Sequence, residues 1–250
     1  MSSAIINDYF DQLIAHLAQL RDTQALAMSQ AVSVIVTAAK QDKRVFVFGT
    51  GHSHMLAEEV HYRAGGLAIT VPVLSAFTML HEGAYASTQF ERISGVVKPL
   101  LERYNIGIGD VLIVVSNSGV NAAPIDAARF GRDAGATVIA LTSVVYSHAA
   151  ADGRVRLAEL ADIVLDNEIP AGDAMMQLPN SEMKAGAIST AVGATILNAV
   201  FTAVAAELAV EGGEVPVYRS ANMPGAAEHS IENGCPDSGR NCPRFHLAIW

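Results

Sequence analysis

Short apolar runs and longer amphipathic segments alternate along the chain. Five of the apolar runs contain many β-branched residues, which is typical of buried parallel strands. The segments between them are long enough for helices. The predicted strands cover residues 45–48, 67–74, 111–115, 137–141 and 163–165.

Helices are predicted ahead of the first strand and between the strands. They cover residues 4–20, 23–41, 54–64, 90–104, 122–134 and 185–206. Strands that alternate with helices indicate βαβ units with right-handed connections. We therefore predict an α/β fold, a doubly wound five-stranded parallel sheet flanked by helices, with the two leading helices added. In such sheets a ligand binds at the carboxyl ends of the strands.

The composition predicts one globular core. The chain has 250 residues, of which 51% are hydrophobic, and no shift in composition marks an internal boundary. We expect a helical pair at 1–42 that belongs to the same domain as the α/β unit at 43–211. Residues 212–250 are rich in Gly, Pro and Asn and are predicted to form an irregular tail. The leading helices and the long helix carry more apolar surface than one sheet face can cover, which favours a homodimer or homotetramer.

Charge and cysteine content exclude several classes of partner and location. The net charge is −9 and no basic run is present, which excludes nucleic acid as a partner. The uncharged segment 185–206 contains hydroxyl and amide side chains and many Ala and Gly residues, so we predict a packed helix and no membrane partner. Asp8 and Asp11 occupy the place of a basic signal region, and both cysteines lie in the tail. These features favour a cytoplasmic protein.

Hydroxyl-rich turns follow three of the predicted strands. The loop 49–53 follows the first strand, the run Ser116-Asn117-Ser118-Gly119 follows the third, and Thr142-Ser143 follows the fourth. Serine oxygens and free N–H groups at the start of a helix bind phosphate well. The alternative is an ordinary helix cap, which Ser and Asn also favour.

The glycine loop at 49–53 does not have the features of a nucleotide site. His54 occupies the place of the third glycine of a dinucleotide fingerprint, and the following strand ends without an acidic residue. The sequence contains no Gly-Lys-Ser/Thr run of a P-loop. We therefore expect no nucleotide and no other cofactor.

These motifs resemble those of the sugar isomerase (SIS) domain, a phosphosugar-binding α/β fold. The resemblance covers residues 45–209, with Asn117 where many members have Gln or another polar residue. The run 181–186 is similar to the Ser-x-Met-Lys-Ala-Gly run of N-acetylmuramic acid 6-phosphate etherases, and the run 217–222 resembles stand-alone SIS proteins. The resemblance implies a sugar phosphate as the small-molecule ligand. The predicted binding residues are Gly51, His52, Ser53, Ser116, Asn117, Ser118, Gly119, Thr142, Ser143 and Lys184.

Acid and base groups follow the first two predicted strands. The predicted catalytic residues are Glu58, Glu59, His81 and Glu82. A carboxylate can abstract the proton beside a carbonyl when burial raises its pKa, and only one of two adjacent glutamates on a helix faces a cleft. His54, Glu58 and His61 share one helical face that can bind zinc, as some SIS proteins resembling heptose-phosphate isomerases do. Since the usual metal signature is weak here, we expect no metal.

The sequence favours a sugar-phosphate isomerase that interconverts an aldose and a ketose through an enediol. Two alternatives stay open. The first is a phosphosugar lyase or etherase, which the run 181–186 supports. The second is a non-catalytic phosphosugar sensor, since SIS domains also serve as effector-binding modules.

Overall fold

A computed structural model describes residues 2–210, 212, 215–220 and 222–224. Its main sheet has five strands: β1 Val45–Gly49, β2 Thr70–Val73, β3 Val111–Val115, β4 Thr137–Thr142 and β5 Ile163–Asp166. All neighbouring strands are parallel, in the order β2-β1-β3-β4-β5. The predicted doubly wound parallel sheet is therefore confirmed.

Helices cover both faces of this sheet. They are α1 Ser2–Thr23, α2 Ala25–Lys40, α3 His54–Glu59, α4 Ala84–Phe90, α5 Lys98–Glu102, α6 Ala122–Asp133, α7 Val144–Ala150 and α8 Ser189–Val210. A small antiparallel hairpin, β6 Met176–Gln177 and β7 Lys184–Ala185, precedes α8.

Alternate side chains of the strands enter two separate cores. Val45 and Val47 of β1 pack with α2 and α8, while Phe46 and Phe48 pack with α5 and α6. All five residues of β1 are buried, as are all five of β3. This two-sided burial explains why the strands read as continuous apolar runs, because residues on both faces of a central parallel strand leave water.

The strand order creates a switch point between β1 and β3. The chain runs from β1 to β2 on one side and then returns to place β3 on the other side. Gly49 of β1 lies directly beside Val115 of β3, so both strands end at the same level. The loops that follow diverge to opposite sides and leave a crevice, which is where open α/β sheets bind ligands.

Two predicted helices differ from the structure. The segment 90–104 contains the end of α4 and the short α5, because Gly95 has a φ of 78° and Pro99 stands in the first turn of α5. Helix α3 ends at Glu59 and does not reach residue 64. Tyr62, with a φ of 43°, lies in the turn that follows it.

Helix α8 begins later than predicted, at Ser189. Residues 184 and 185 pair with β6, and the Asp173 carboxylate accepts hydrogen bonds from the backbone N–H groups of Ile188 and Ser189. By length and composition α8 could cross a membrane. However, residues such as Val192, Leu197 and Val204 are fully buried in the core. Core helices often have this length and apolar composition as well.

The segment after α8 returns to the sheet edge. Val217 forms an antiparallel bridge with Leu67, and the N–H of Tyr218 donates to the carbonyl of Gly66 at 3.0 Å. The predicted irregular tail at 212–250 otherwise lies largely outside the described residues.

The structure leaves an apolar stripe on α1 exposed. Ile6, Phe10 and Ile14 are 56%, 58% and 62% exposed and follow one another at a spacing of four residues, on one helical face. We expect the protein to self-associate through this stripe, so light scattering at micromolar concentration should give at least a dimer. Phe10→Glu should lower the measured mass, whereas Gln12→Glu at a nearby exposed position should not. A stable wild-type monomer would contradict the prediction.

Candidate functional site

The loops that follow β1 and β3 form the walls of an open cleft at the switch point. The cleft has an empty volume of about 1280 Å³. Six of the residues predicted to bind a phosphosugar line it: Gly51, His52, Ser53, Ser116, Asn117 and Ser118. Residues from two distant parts of the sequence therefore meet at one place, because their strands are neighbours in the sheet.

Gly119 fixes the turn after β3. Its φ is 61°, and a Cβ atom at this position would lie 2.8 Å from Thr142 Oγ1. The N–H of Gly119 donates to Ser116 Oγ at 3.2 Å, so the hydroxyl closes the turn. A side chain at position 119 would have to move the neighbouring strand end, which explains the glycine.

Thr142 and Ser143 lie beneath the second loop and are fully buried. The Thr142 hydroxyl donates to the Asn117 carbonyl at 3.4 Å, and the Ser143 hydroxyl donates to the Ile169 carbonyl at 2.7 Å. The Ser143 hydroxyl also caps α7 by accepting from the N–H of Tyr146. The second loop is therefore supported by the Thr142 hydroxyl and by the N–H of Ser143, which donates to the Asn117 carbonyl at 3.1 Å. Neither residue is part of the cleft lining.

Asn167 orients the side chain of Asn117. Asn167 is buried, and its Oδ1 accepts from the N–H of Ile169 at 3.2 Å, so its Nδ2 is the group that donates to Asn117 Oδ1 at 3.0 Å. The buried Nδ2 of Asn117 consequently remains a donor without a partner among the described residues. Burying an N–H group without a partner costs free energy, and a hydrogen bond to a ligand or water oxygen recovers that cost.

Glu91 joins the two loops and was not predicted from the sequence. Its carboxylate accepts from the Thr50 hydroxyl at 2.7 Å and from Asn121 Nδ2 at 2.9 Å. Thr50 belongs to the first loop, and Asn121 precedes α6 after the second. Since Glu91 also lines the cleft, one carboxylate holds both walls in place.

A cluster of two histidines and one glutamate follows the first loop. The Nδ1 of the buried His54 hydrogen-bonds the Gly51 carbonyl, which turns Nε2 to within 3.4 Å of Glu58 Oε2. His81 joins them from the segment after β2, with its ring centroid 5.6 Å from that of His54. One ligand atom from each of the three residues lies within 4.8 Å of the others.

This cluster contains the donor types of a divalent-cation site and of an acid–base pair. Two imidazoles and a carboxylate suit zinc, and an Nδ1 hydrogen bond to a carbonyl is the usual support for a ligating histidine. The sequence suggested His61 as the third member of this set. In the structure His81 takes that place beside His54 and Glu58. Partial burial lowers the pKa of His61, and its hydrogen bond with the Thr70 backbone opposes this shift.

All four predicted catalytic residues and Lys184 lie outside the cleft lining: Glu58, Glu59, His81, Glu82 and Lys184. Glu59 pairs with Arg63 and accepts from Asn198 Nδ2 at 3.1 Å. Glu82 is exposed in the segment after β2, next to His81. Lys184 is exposed on β7, where it is paired in register with Gln177.

Several other residues of the cleft were not predicted from the sequence. Arg92 and Arg154 lie outside helices and strands, whereas Tyr146 and Ser189 lie in the first turns of α7 and α8. Asp173 caps α8 by accepting from two backbone N–H groups and from the Ser189 hydroxyl at 2.6 Å. Asn121 had a detectable signal, since it comes two residues after the Ser-Asn-Ser-Gly turn and directly precedes a predicted helix.

The sequence from residue 8 to residue 143 matches the family model of the SIS domain. The chain belongs to the SIS-domain family. Curated relatives of this SIS-domain protein include a UPF0309 protein of Brucella anthropi, 62% identical over 228 residues, which are 91% of this chain and 94% of the relative. A UPF0309 protein of Brucella canis is 59% identical over 224 residues, 90% of this chain and 92% of the relative.

Solved structures agree with this fold. The phosphoheptose isomerase of Neisseria gonorrhoeae has a TM-score of 0.57 and 17% identity, covering 82% of this chain and 98% of its own. The phosphoheptose isomerase of Francisella tularensis has a TM-score of 0.56 and 19% identity, with the same coverage. At these sequence identities the similarity shows that this chain and the two isomerases share a fold.

Gly49→Ala tests the packing of the first loop. A Cβ atom at position 49 would lie 2.5 Å from the Ser53 carbonyl oxygen, which is backbone and cannot rotate away. We expect the change to lower the free energy of unfolding by about 1–3 kcal/mol, measured by denaturant unfolding. Gly107→Ala is the matched control, since nothing lies within 4 Å of its Cβ position. Equal stability of the two variants would be inconsistent with the close contact.

Proposed function

We propose that this protein binds a sugar phosphate and isomerises it between aldose and ketose through an enediol. The observation that carries the proposal is the convergence of the Ser53, Ser116 and Ser118 side chains on one cleft at the switch point of the sheet. Membership of the SIS-domain family supports the ligand class.

The cleft has the chemistry that a phosphate dianion needs. Hydroxyl groups donate charge-assisted hydrogen bonds to phosphate oxygens. Helix α6 begins directly after the second loop, and Asn121 at its start provides no side-chain cap, because its amide donates to Glu91. The N–H of Ala123 in the first turn of this 12-residue helix donates to the Glu91 carbonyl at 2.9 Å, and Pro124 has no N–H, so the helix contributes mainly its dipole to an anion in the cleft. Asn117 Nδ2 adds a further donor.

The His54–Glu58–His81 cluster supplies the acid and base groups. It begins at the residue after Ser53, beside the cleft wall. In the proposed reaction Glu58 removes the proton from the carbon beside the carbonyl, while the carbonyl oxygen gains a proton from His81. His81 then takes the proton of the other hydroxyl of the enediol, and Glu58 returns its proton to the neighbouring carbon, so both side chains regain their starting states and the sugar is isomerised without net change in atoms.

Other assignments of the base follow from the sequence. Glu59 and Glu82 remain candidates, although Glu59 is engaged by Arg63 and Asn198. The phosphoheptose isomerases that share the fold are named as enzymes of this reaction type, which supports isomerisation over elimination or sensing. Proton exchange and net turnover distinguish these activities experimentally.

The double substitution Ser116→Ala/Ser118→Ala should abolish most phosphosugar binding. A ligand that binds only the folded protein raises its melting temperature, so a panel of hexose, amino-sugar and N-acetylated sugar phosphates should produce a shift in the wild type. Loss of two charge-assisted hydrogen bonds should weaken binding about a hundredfold and remove that shift. Ser29→Ala/Ser33→Ala on the exposed side of α2 is the matched control. Unchanged binding in the first variant would remove the proposal.

Deuterium exchange tests catalysis directly. In heavy water the wild-type protein should incorporate deuterium at the carbon beside the carbonyl of the bound sugar phosphate, as followed by NMR. Glu58→Gln or His81→Ala should slow this exchange by about a hundredfold or more while binding persists. Glu102→Gln, an exposed glutamate on α5, is the control.

Three outcomes of this experiment contradict parts of the proposal. Binding without exchange would make the protein a sensor. Exchange with loss of a substituent from the sugar would make it a lyase or etherase. Exchange that survives Glu58→Gln but not Glu59→Gln would move the base to Glu59. We expect exchange to survive dialysis against a chelator, and its loss would assign the histidine cluster to a metal ion.

A further inference from the structure

The outer end of the cleft is lined by two arginines. Arg92 follows α4 and Arg154 follows α7, and both line the cleft that contains the three serines. A second open groove continues from this point and shares Arg92, Val120, Asn121 and Arg154 with the cleft. Arg129 of α6 lies along that groove.

The guanidinium groups keep hydrogen-bond donors free for a ligand. Arg154 donates through Nε to the Ala151 carbonyl at 3.0 Å and through Nη2 to the Ala150 carbonyl at 2.6 Å. Arginine has five N–H donors, so three remain. Among the described residues no carboxylate lies within ion-pair distance of Arg154. Arg92 donates to the Thr88 carbonyl and is 4.0 Å from Glu91 Oε1.

The carboxylates of this region are already engaged by neutral donors. Both oxygens of Glu91 accept hydrogen bonds from Thr50 and Asn121. Asp126 Oδ2 accepts from the Ser94 hydroxyl at 3.3 Å and from the N–H of Gly95 at 2.6 Å. Arg129 Nη1 lies 3.7 Å from Asp126 Oδ1, and Arg92 Nη1 lies 4.0 Å from Glu91 Oε1. Among the described residues, Arg154 has no such carboxylate partner, so its charge is the least neutralised in this part of the cleft and favours a ligand group of the opposite sign.

The cleft and the groove are continuous, because four residues line both of them: Arg92, Val120, Asn121 and Arg154. A ligand can therefore extend from the serine loops to the arginines.

We infer that the ligand carries a second acidic group, a carboxylate or another phosphate, which Arg92 and Arg154 bind while the serine loops hold the first phosphate. This inference rests on the proposed function and adds to it the class of ligand. Arginine pairs with planar or tetrahedral oxyanions through two parallel hydrogen bonds, so the pair selects a doubly acidic ligand over a singly acidic one.

Isothermal titration calorimetry with matched ligands tests the inference. The probes are glucose 6-phosphate, glucose 1,6-bisphosphate and gluconate 6-phosphate. In the wild type, at least one doubly acidic probe should bind about tenfold more tightly than glucose 6-phosphate, or better. In Arg92→Gln/Arg154→Gln the ratio of the Kd for glucose 6-phosphate to the Kd for the doubly acidic probe should fall to about twofold or less.

Two sets of variants separate charge from structure. Arg132→Gln removes one positive charge from an exposed position on α6 outside the cleft, and it should keep the wild-type ratio. Arg92→Lys/Arg154→Lys keeps the charge without the paired hydrogen bonds and should give an intermediate ratio. Both arginines are exposed, so their replacement should leave the melting temperature of the unliganded protein near the wild-type value.

The outcomes distinguish this inference from the proposed function. A wild-type protein that binds the three probes equally, or an Arg92→Gln/Arg154→Gln variant that keeps the preference, overturns the inference alone. If the wild type prefers a doubly acidic probe and Ser116→Ala/Ser118→Ala loses all binding, the inference and the proposed function are both supported. If none of the three probes binds the wild type although another sugar phosphate of the thermal-shift panel does, the inference falls and the proposed function stands.

Discussion

The side-by-side pairing of β1 and β3 is the constraint on which the candidate site depends. Because Gly49 lies beside Val115, the loops after these strands start at the same height and turn away from each other. Glu91 then holds Thr50 of one loop and Asn121 beside the other. The crevice between them contains side chains that are more than sixty residues apart in the sequence. Nothing local in either loop would produce this arrangement without the parallel pairing.

Much of this architecture could be predicted from the sequence, because the signals are local. The runs at 111–115 and 137–141 are apolar on both faces, which few helices of that length would be. The hydroxyl turns at Ser116 and Thr142 follow from their position at strand ends. The prediction of one continuous helix over 90–104 was wrong. Gly95 and Pro99 interrupt this segment, although its apolar residues have helical spacing.

The parts that could not be predicted depend on contacts between distant segments. His81 lies near His54 only because the segment after β2 passes over the start of α3. Glu91 lies in a segment whose spacing indicates only a helix, and Arg154 comes from an irregular stretch, so no sequence pattern marks either as a functional residue. Thr142 and Ser143 had the right residue type at the right strand end, yet their hydroxyls bond backbone carbonyls, which no sequence pattern reveals.

The Asp173 carboxylate at the start of α8 gives the cleft an electrical asymmetry. Helix α8, with 22 residues, begins at the cleft, and the Asp173 carboxylate accepts from its first N–H groups there. An anion in the cleft is therefore repelled from the α8 side, whereas on the α6 side the Glu91 carboxylate lies 4.0 Å from Arg92 Nη1. The two sides of the cleft thus present different fields, which would orient a ligand that carries its charge at one end.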